Sequence, residues 1–285
     1  MALTTLISTA VLAARLDDLA FAIVDCRFRL DEVAWGEREY TAAHIPGAVY
    51  AHLDRDLSGP KTGTNGRHPL PDSHALEATL GRLGIASGVQ VVAYDQDNGI
   101  YASRLWWLLR SMGHDAAAVL DGGFKKWSAE GRATKSGLEA RAPRAFDGSP
   151  RPGMAVDAAL VSSLLGKLDW RLVDARAPER YRGETEPLDK TPGRIPSAKN
   201  HWFQWNLDES GTFKSPEALR ARLRESVGDV PPDRIVCYCG SGVTACHNIL
   251  ALELAQLKGA RLYAGSWSEW SSDPARPVET GDYRR

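Results

Sequence analysis

The chain is written twice. Ile23-Val24-Asp25-Cys26-Arg27 reappears as Leu172-Val173-Asp174-Ala175-Arg176, and His44-Ile45-Pro46-Gly47-Ala48-Val49 as Arg194-Ile195-Pro196-Ser197-Ala198-Lys199. Val91-Val92-Ala93-Tyr94-Asp95 pairs with Ile235-Val236-Cys237-Tyr238-Cys239, and Leu120-Asp121-Gly122-Gly123-Phe124 with Tyr263-Ala264-Gly265-Ser266-Trp267. The offset drifts only from 150 to 143 residues along the chain. One long repeat means two copies of one fold rather than a solenoid of short units. A length of 285 residues suits two cores of ordinary size. The stretch from about Ala133 to Met154 is rich in Gly, Pro, Arg and Ser and lacks periodicity. The expected division is a first domain over 1–135, a linker over 136–153 and a second domain over 154–285.

Within each copy, short apolar runs alternate with helical patterns. Phe21–Val24 and Val89–Tyr94 read as strands in the first copy, with Tyr101–Met112 as an apolar helix. Arg171–Asp174 and Arg234–Tyr238 read as strands in the second, and Val243–Leu257 as a helix with Leu250, Leu254 and Leu257 on one face. This alternation predicts an α/β fold, each copy a parallel sheet flanked by helices. Ligands in such folds bind beyond the carboxyl ends of the strands.

Cys239-Gly240-Ser241-Gly242-Val243-Thr244 falls at one of those strand ends and opens a helix. A cysteine so placed sits in a ring of backbone N–H groups at the positive end of a helix dipole, which favours an anion at sulfur. The glycines let the backbone close around the side chain. The first copy has Asp95 at the same position, which carries no sulfur and would repel an anionic substrate. One active site, in the second half, is therefore expected. Cys26, Cys237 and Cys246 read as small buried residues.

Composition excludes other classes. A net charge of −1 supports neither a nucleic-acid nor a membrane surface, and no apolar run of about 18 residues exists to span a bilayer. Met1 to Ala14 has no basic residue before Arg15, so it lacks the n-region of a secretory signal and reads as a first helix. Four cysteines in so long a chain make no disulfide framework, which fits a reducing cytoplasm. The spacing of Cys237, Cys239, Cys246 and His247 is not that of a zinc knuckle, and neither a metal nor an organic cofactor is expected.

Duplication, Ile-Pro motifs and cysteine loop together resemble the tandem-domain rhodanese-type sulfurtransferases, which act on thiosulfate or 3-mercaptopyruvate. The likeness runs from Val24-Asp25-Cys26-Arg27 through Gly265-Ser266-Trp267-Ser268-Glu269-Trp270. It implies that Cys239 takes sulfur from a small anionic donor, holds it as a persulfide and passes it to a thiol, thioredoxin or cyanide. The loop looks like the 3-mercaptopyruvate type, because Gly240 and Ser241 stand where thiosulfate enzymes often carry basic residues. The same resemblance implies a relay of Ser241, His68 and Asp54, with Gly240, Gly242, Val243 and Thr244 forming the cradle. For the donor's anionic group it implies Arg182 in Tyr181-Arg182-Gly183. The second arginine that usually follows Glu-Pro is replaced by Leu188-Asp189, so Arg194 or Lys190 is the expected substitute and thiosulfate stays open as donor.

Two rival classes use a similar cysteine loop. A cysteine phosphatase needs an arginine six residues after the nucleophile to fork onto phosphoryl oxygens, and Ala245 stands there. A non-catalytic sulfur carrier or regulatory module would share the loop. The tryptophans are expected in packing, with Trp202 and Trp205 near enough to the second Ile-Pro motif to line a site.

Overall fold

The structure, a computed structural model, describes residues 2–282. They form two compact units. One comprises the residues up to Gly59, Leu70–Arg151 and Glu209–Thr212; the other comprises Pro60–Pro69, Pro152–Asp208 and the chain from Phe213 onward. Ten residues from the first half of the sequence thus belong to the second unit. The stretch expected as a linker is instead hydrogen-bonded along the first. Glu139 N–H donates to Tyr40 Oη, Arg144 N–H to Gly81 O and Ser149 N–H to Met112 O, while Arg151 forks onto Asp115 at 2.7 Å.

Each unit carries a five-stranded, all-parallel sheet. In the first, β1 (Leu6–Ile7), β2 (Phe21–Asp25), β3 (Val49–Tyr50), β4 (Gln90–Tyr94) and β5 (Ala117–Leu120) lie in the order β1-β5-β4-β2-β3. In the second, β6 (Ala155–Val156), β7 (Arg171–Asp174), β8 (Lys199–Asn200), β9 (Ile235–Tyr238) and β10 (Arg261–Tyr263) repeat it as β6-β10-β9-β7-β8. The central strands β4 and β9 are buried along their whole length, as continuous apolar runs in parallel sheets require. The chain's start is a short strand followed by helix α1 (Thr9–Ala13), whose N-cap Ser8 accepts from Val11 N–H.

The helices of the first unit are α1, α2 (Trp35–Ala42), α3 (Ser73–Arg82), α4 (Ile100–Ser111) and α5 (Gly123–Ala129). Those of the second are α6 (Ala158–Leu164), α7 (Pro178–Arg182), α8 (Pro216–Val227), α9 (Thr244–Leu254) and α10 (Ser266–Trp270). Their start signals are local. Asp72 caps α3, Asp157 caps α6, and Ser215 followed by Pro216 caps α8. Trp127 in the first core and Trp267 and Trp270 in the second are fully buried. None of the described helices is long and apolar enough to cross a membrane.

The repeated Asp-x-Arg motif explains the strand ends that face the loops. Asp25 and Arg27 form a buried fork, as do Asp174 and Arg176, with Nη2–Oδ2 distances of 2.7 Å in both. Arg27 then donates to Ala43 O, and Arg176 to Gly193 O, tying each strand end to the chain before the Ile-Pro motif. Burial alone would lower the pKa of Arg176, but the adjoining Asp174 carboxylate more than reverses that and keeps it charged. Removing one member of such a pair would leave a buried charge, at a cost of about 3–5 kcal/mol. The Ile-Pro motifs fasten to the same layer: Ile45 N–H donates to Tyr94 Oη and Ile195 N–H to Tyr238 Oη, both at 3.3 Å. These tyrosines immediately precede Asp95 and Cys239.

Candidate active site

Cys239 follows the last residue of β9 and is 1% exposed. Its loop is laced to the segment after β10. Cys239 N–H donates to Ser266 Oγ at 3.1 Å, Trp267 N–H donates to Cys239 O at 2.9 Å, and Ser268 N–H donates to Gly240 O at 2.9 Å. Ser266 in turn donates its hydroxyl to Tyr263 O at 2.8 Å. The repeated motif around Gly265-Ser266-Trp267 therefore braces the cysteine loop, a role that sequence comparison of the two copies did not reveal.

Gly242 turns the loop under the sulfur. Its φ is +77°, and a Cβ there would lie 2.4 Å from Ala264 O, so only glycine fits. The turn aims Gly242 N–H at Cys239 Sγ, 3.1 Å away. Val243 caps α9, and Thr244 is that helix's first residue. Cys26 and Cys237 are fully buried, and burial pushes both thiols well above their usual pKa; Cys246 donates its thiol to Gly242 O at 3.4 Å.

Ser241 and His68 come together inside the second unit. Ser241 Oγ and His68 Nδ1 share a 2.7 Å hydrogen bond, with 5% and 3% of these residues exposed. His68 arrives on the Pro60–Pro69 segment, which the same unit holds through Arg67 N–H donating to Ser268 Oγ at 3.0 Å. Asp54 belongs to the first unit, where its N–H donates to His52 Nδ1 at 3.1 Å.

The guanidinium groups at the loop are those of Arg67 and Arg180. A Cβ on Gly240 would lie 2.8 Å from Arg67 Nη2 and 3.5 Å from both terminal nitrogens of Arg180. The arginines named from sequence sit elsewhere. Arg182 makes an exposed fork with Glu184, at 2.6 and 3.0 Å. Arg194 is buried over the Tyr181 ring, with its guanidinium on Gly281 O and near Glu279. The physical reason lies in α7, where residues two apart do not share a face. With Arg180 turned to the loop, Arg182 points elsewhere.

Leu188-Asp189 explains the second difference. The Glu186 carboxylate accepts from Arg180 and Arg176, and also from the backbone N–H groups of Leu188 and Asp189 at 3.1 and 3.2 Å. That turn places the Asp189 carboxylate on Arg67 Nη1, with Arg180 Nη2 at 3.9 Å from its other oxygen. An acidic residue where an arginine was expected thus recruits an arginine from the Pro60–Pro69 segment. Lys190 lines a cavity beside this pair. Trp205 lies edge-on to His201, in a buried polar network with Asn206, His247 and Asn248.

Two α/β units, each built on a parallel sheet and the second ending its central strand in a cysteine followed by glycine, define a duplicated fold with a thiol centre in the second unit. The profile described as Rhodanese-like domain matches residues 8–130 and 157–273. The chain belongs to the tandem-domain rhodanese-type sulfurtransferases. It is 46% identical over 284 residues, covering 99% of this chain and all of the relative, to a Pseudomonas aeruginosa protein named "Probable 3-mercaptopyruvate sulfurtransferase". It is 38% identical over 270 residues, 91% of each chain, to a Mycobacterium tuberculosis protein provisionally named thiosulfate sulfurtransferase SseB. Among solved structures, the 3-mercaptopyruvate sulfurtransferase SseA of Escherichia coli superposes with a TM-score of 0.81 at 28% identity, over 93% of this chain and 99% of that one.

Proposed function

We propose that this protein moves the thiol sulfur of 3-mercaptopyruvate through a persulfide on Cys239 to a thiol or cyanide acceptor. The observation that carries this reading is the Ser241–His68 hydrogen bond, two residues from the sulfur in the loop. The absence of charge at Gly240 and Ser241 and the name of the 46% identical relative support the same donor.

In the proposed cycle, Arg180 and Arg67 take the donor's carboxylate, whose planar oxygens suit a guanidinium fork. The Cys239 thiolate attacks the donor's sulfur. The carbon–sulfur bond breaks, and its electron pair passes to the CH2 carbon as the enolate of pyruvate. The proton of the donor's thiol ends on that carbon, handled by Ser241 and His68, with Asp54 as the proposed third member. Pyruvate leaves, and Gly242 N–H remains to hold the persulfide anion. Attack by thiolate or cyanide on the outer sulfur returns the bonding pair to Cys239. No metal or organic cofactor enters this cycle, and the four free cysteines fit a reducing, cytoplasmic setting.

A second reading, with thiosulfate as donor, draws on the same two guanidinium groups beside Gly240, each of which also holds a carboxylate, Arg67 that of Asp189 and Arg180 that of Glu186. Sulfite would then leave with the electron pair, and no carbon would need a proton. Parallel initial rates with the two donors and cyanide decide between them. A kcat/KM preference of at least tenfold for 3-mercaptopyruvate is expected. A preference for thiosulfate would overturn the donor, and turnover of neither would return the chain to a carrier role.

A further inference from the structure

The turn after Glu186 puts a carboxylate, that of Asp189, against the guanidinium groups that face the cysteine loop, and the persulfide chemistry requires none there. We propose that Asp189 sets the charge of the donor this site accepts, favouring a singly charged anion over a doubly charged one. The inference rests on the sulfur-transfer reading and assigns its donor preference to one side chain.

The turn holds Asp189 in place. Its N–H donates to Glu186 Oε1 at 3.2 Å, and its side chain is only 9% exposed. Asp189 Oδ1 accepts from Arg67 Nη1, and Oδ2 lies 3.9 Å from Arg180 Nη2. Beyond its chain neighbours, the first heavy atoms that a Cβ on Gly240 would meet are Arg67 Nη2 and the two terminal nitrogens of Arg180. Asp189 is thus the shared counter-ion of both guanidinium groups at the cysteine loop.

The surrounding charges cancel. Arg180 also donates to Glu186, Glu186 accepts from Arg176, and Arg176 forks onto Asp174. Arg67, Arg176 and Arg180 therefore meet Asp174, Glu186 and Asp189 in equal number, each in ion-pair contact. Lys61 and Lys190 line the adjoining cavity, and neither supplies an atom nearest Gly240. Such a cluster can still fork onto one carboxylate through charge-assisted hydrogen bonds. It has little surplus field for a second negative charge, which every carboxylate in it repels. 3-Mercaptopyruvate with its thiol protonated carries one charge; thiosulfate carries two. Where a second arginine was expected from sequence, Leu188-Asp189 recruits Arg67 and brings a negative charge with it, so this site is less positive than two arginines alone would make it.

Coulomb energy scales with the charge of the ligand. Neutralising Asp189 should therefore help a dianion twice as much, on a logarithmic scale, as a monoanion. A clamp that merely held Arg67 in place would affect both donors alike.

The test is Asp189→Asn, whose amide oxygen can still accept from Arg67. With cyanide as acceptor, kcat/KM is expected to rise about tenfold for thiosulfate and about threefold for 3-mercaptopyruvate, the scale of one partly screened charge near the ligand. The thiosulfate gain should shrink as salt is added. Asp189→Glu, which keeps the charge, should keep the wild-type donor ratio within twofold. Sulfate and pyruvate read the same preference without turnover, through the concentration of each that protects Cys239 from iodoacetamide. In Asp189→Asn, sulfate should protect at about tenfold lower concentration and pyruvate at about threefold lower. Unchanged donor and protection ratios in Asp189→Asn, or equal losses with both donors, would overturn the charge role and leave the Cys239 reading standing. A wild type that turns over neither donor would instead overturn the reading beneath it, and the protection ratio would still decide the role of Asp189.

Discussion

The loop after β4 and the loop after β9 occupy the same place in two copies of one fold, and each puts a different anion there. Their frames agree closely. Phe124 N–H donates to Asp95 O at 2.8 Å where Trp267 N–H donates to Cys239 O at 2.9 Å, and Lys125 N–H donates to Gln96 O as Ser268 N–H does to Gly240 O. In the first unit the Asp95 carboxylate fills its own cradle, accepting from the N–H groups of Gly99 and Tyr101 at 2.9 and 2.8 Å and of Asp97 and Ala102 at 3.3 Å. In the second, the loop turns one N–H, that of Gly242, toward sulfur and sets Ser241 beside it. The difference teaches that the strand-to-helix turn is an anion site by construction. The side chain at its head decides whether it closes on itself or stays available for chemistry.

The largest expected effect breaks the comparison outright. Cys239→Ser should lower turnover at least about 100-fold, the scale of losing a nucleophile, while Asp95→Ser should leave the rate per active site within about twofold. Residual activity above a few per cent in the first, or a comparable loss in the second, would mean that the two loops are not divided into chemistry and scaffold. Next is His68→Ala. Loss of a general acid–base group costs about 100-fold or more, so kcat with 3-mercaptopyruvate should fall by that factor while thiosulfate turnover changes little. Equal losses would assign the Ser241–His68 pair to structure alone.

Asp95 sharpens the comparison through pH. Burial raises its pKa from 3.8 to about 6, outweighing the N–H bonds that pull it down. The folded state therefore binds more protons than the unfolded state between those values. Above pH 6 the ionised group costs stability, and the cost is relieved as pH falls toward 3.8. Relative to Asp95→Asn, the wild type should gain up to about 3 kcal/mol across that window, read from denaturant melts at several pH values. A difference independent of pH would show that the carboxylate is not confined as described. The smallest effect concerns donor recognition. Arg180→Lys should raise KM for 3-mercaptopyruvate about tenfold, because a lysine cannot reproduce the fork, whereas Arg182→Lys should leave it unchanged. The reverse order would restore the arginine read from sequence.

The fold was legible because the chain states it twice. Strands expected at Phe21–Val24 and Arg234–Tyr238 fall at Phe21–Asp25 and Ile235–Tyr238, and the helix expected to open near Val243 begins at Thr244. The cysteine loop was legible for a local reason, since strand end, glycines and helix start are consecutive. The arginines were not. Which side of α7 meets the loop depends on packing, so Arg180 and Arg182 look equivalent in sequence. Arg67 reaches Gly240 only because its segment joins the second unit, a tertiary fact with no local signature. The stretch around 139–151 resembles a linker by composition, yet its backbone bonds to Tyr40, Gly81 and Met112 hold it to the first unit.

The most direct test of the account is where sulfur lands. The protein is incubated with 3-mercaptopyruvate and no acceptor, alkylated, digested and read by mass spectrometry. One extra sulfur atom, placed on Cys239 by fragmentation of the peptide that also carries Cys237 and Cys246, and absent from the peptide carrying Cys26, is the predicted result. Sulfur on another cysteine, or on none while pyruvate accumulates, would contradict it.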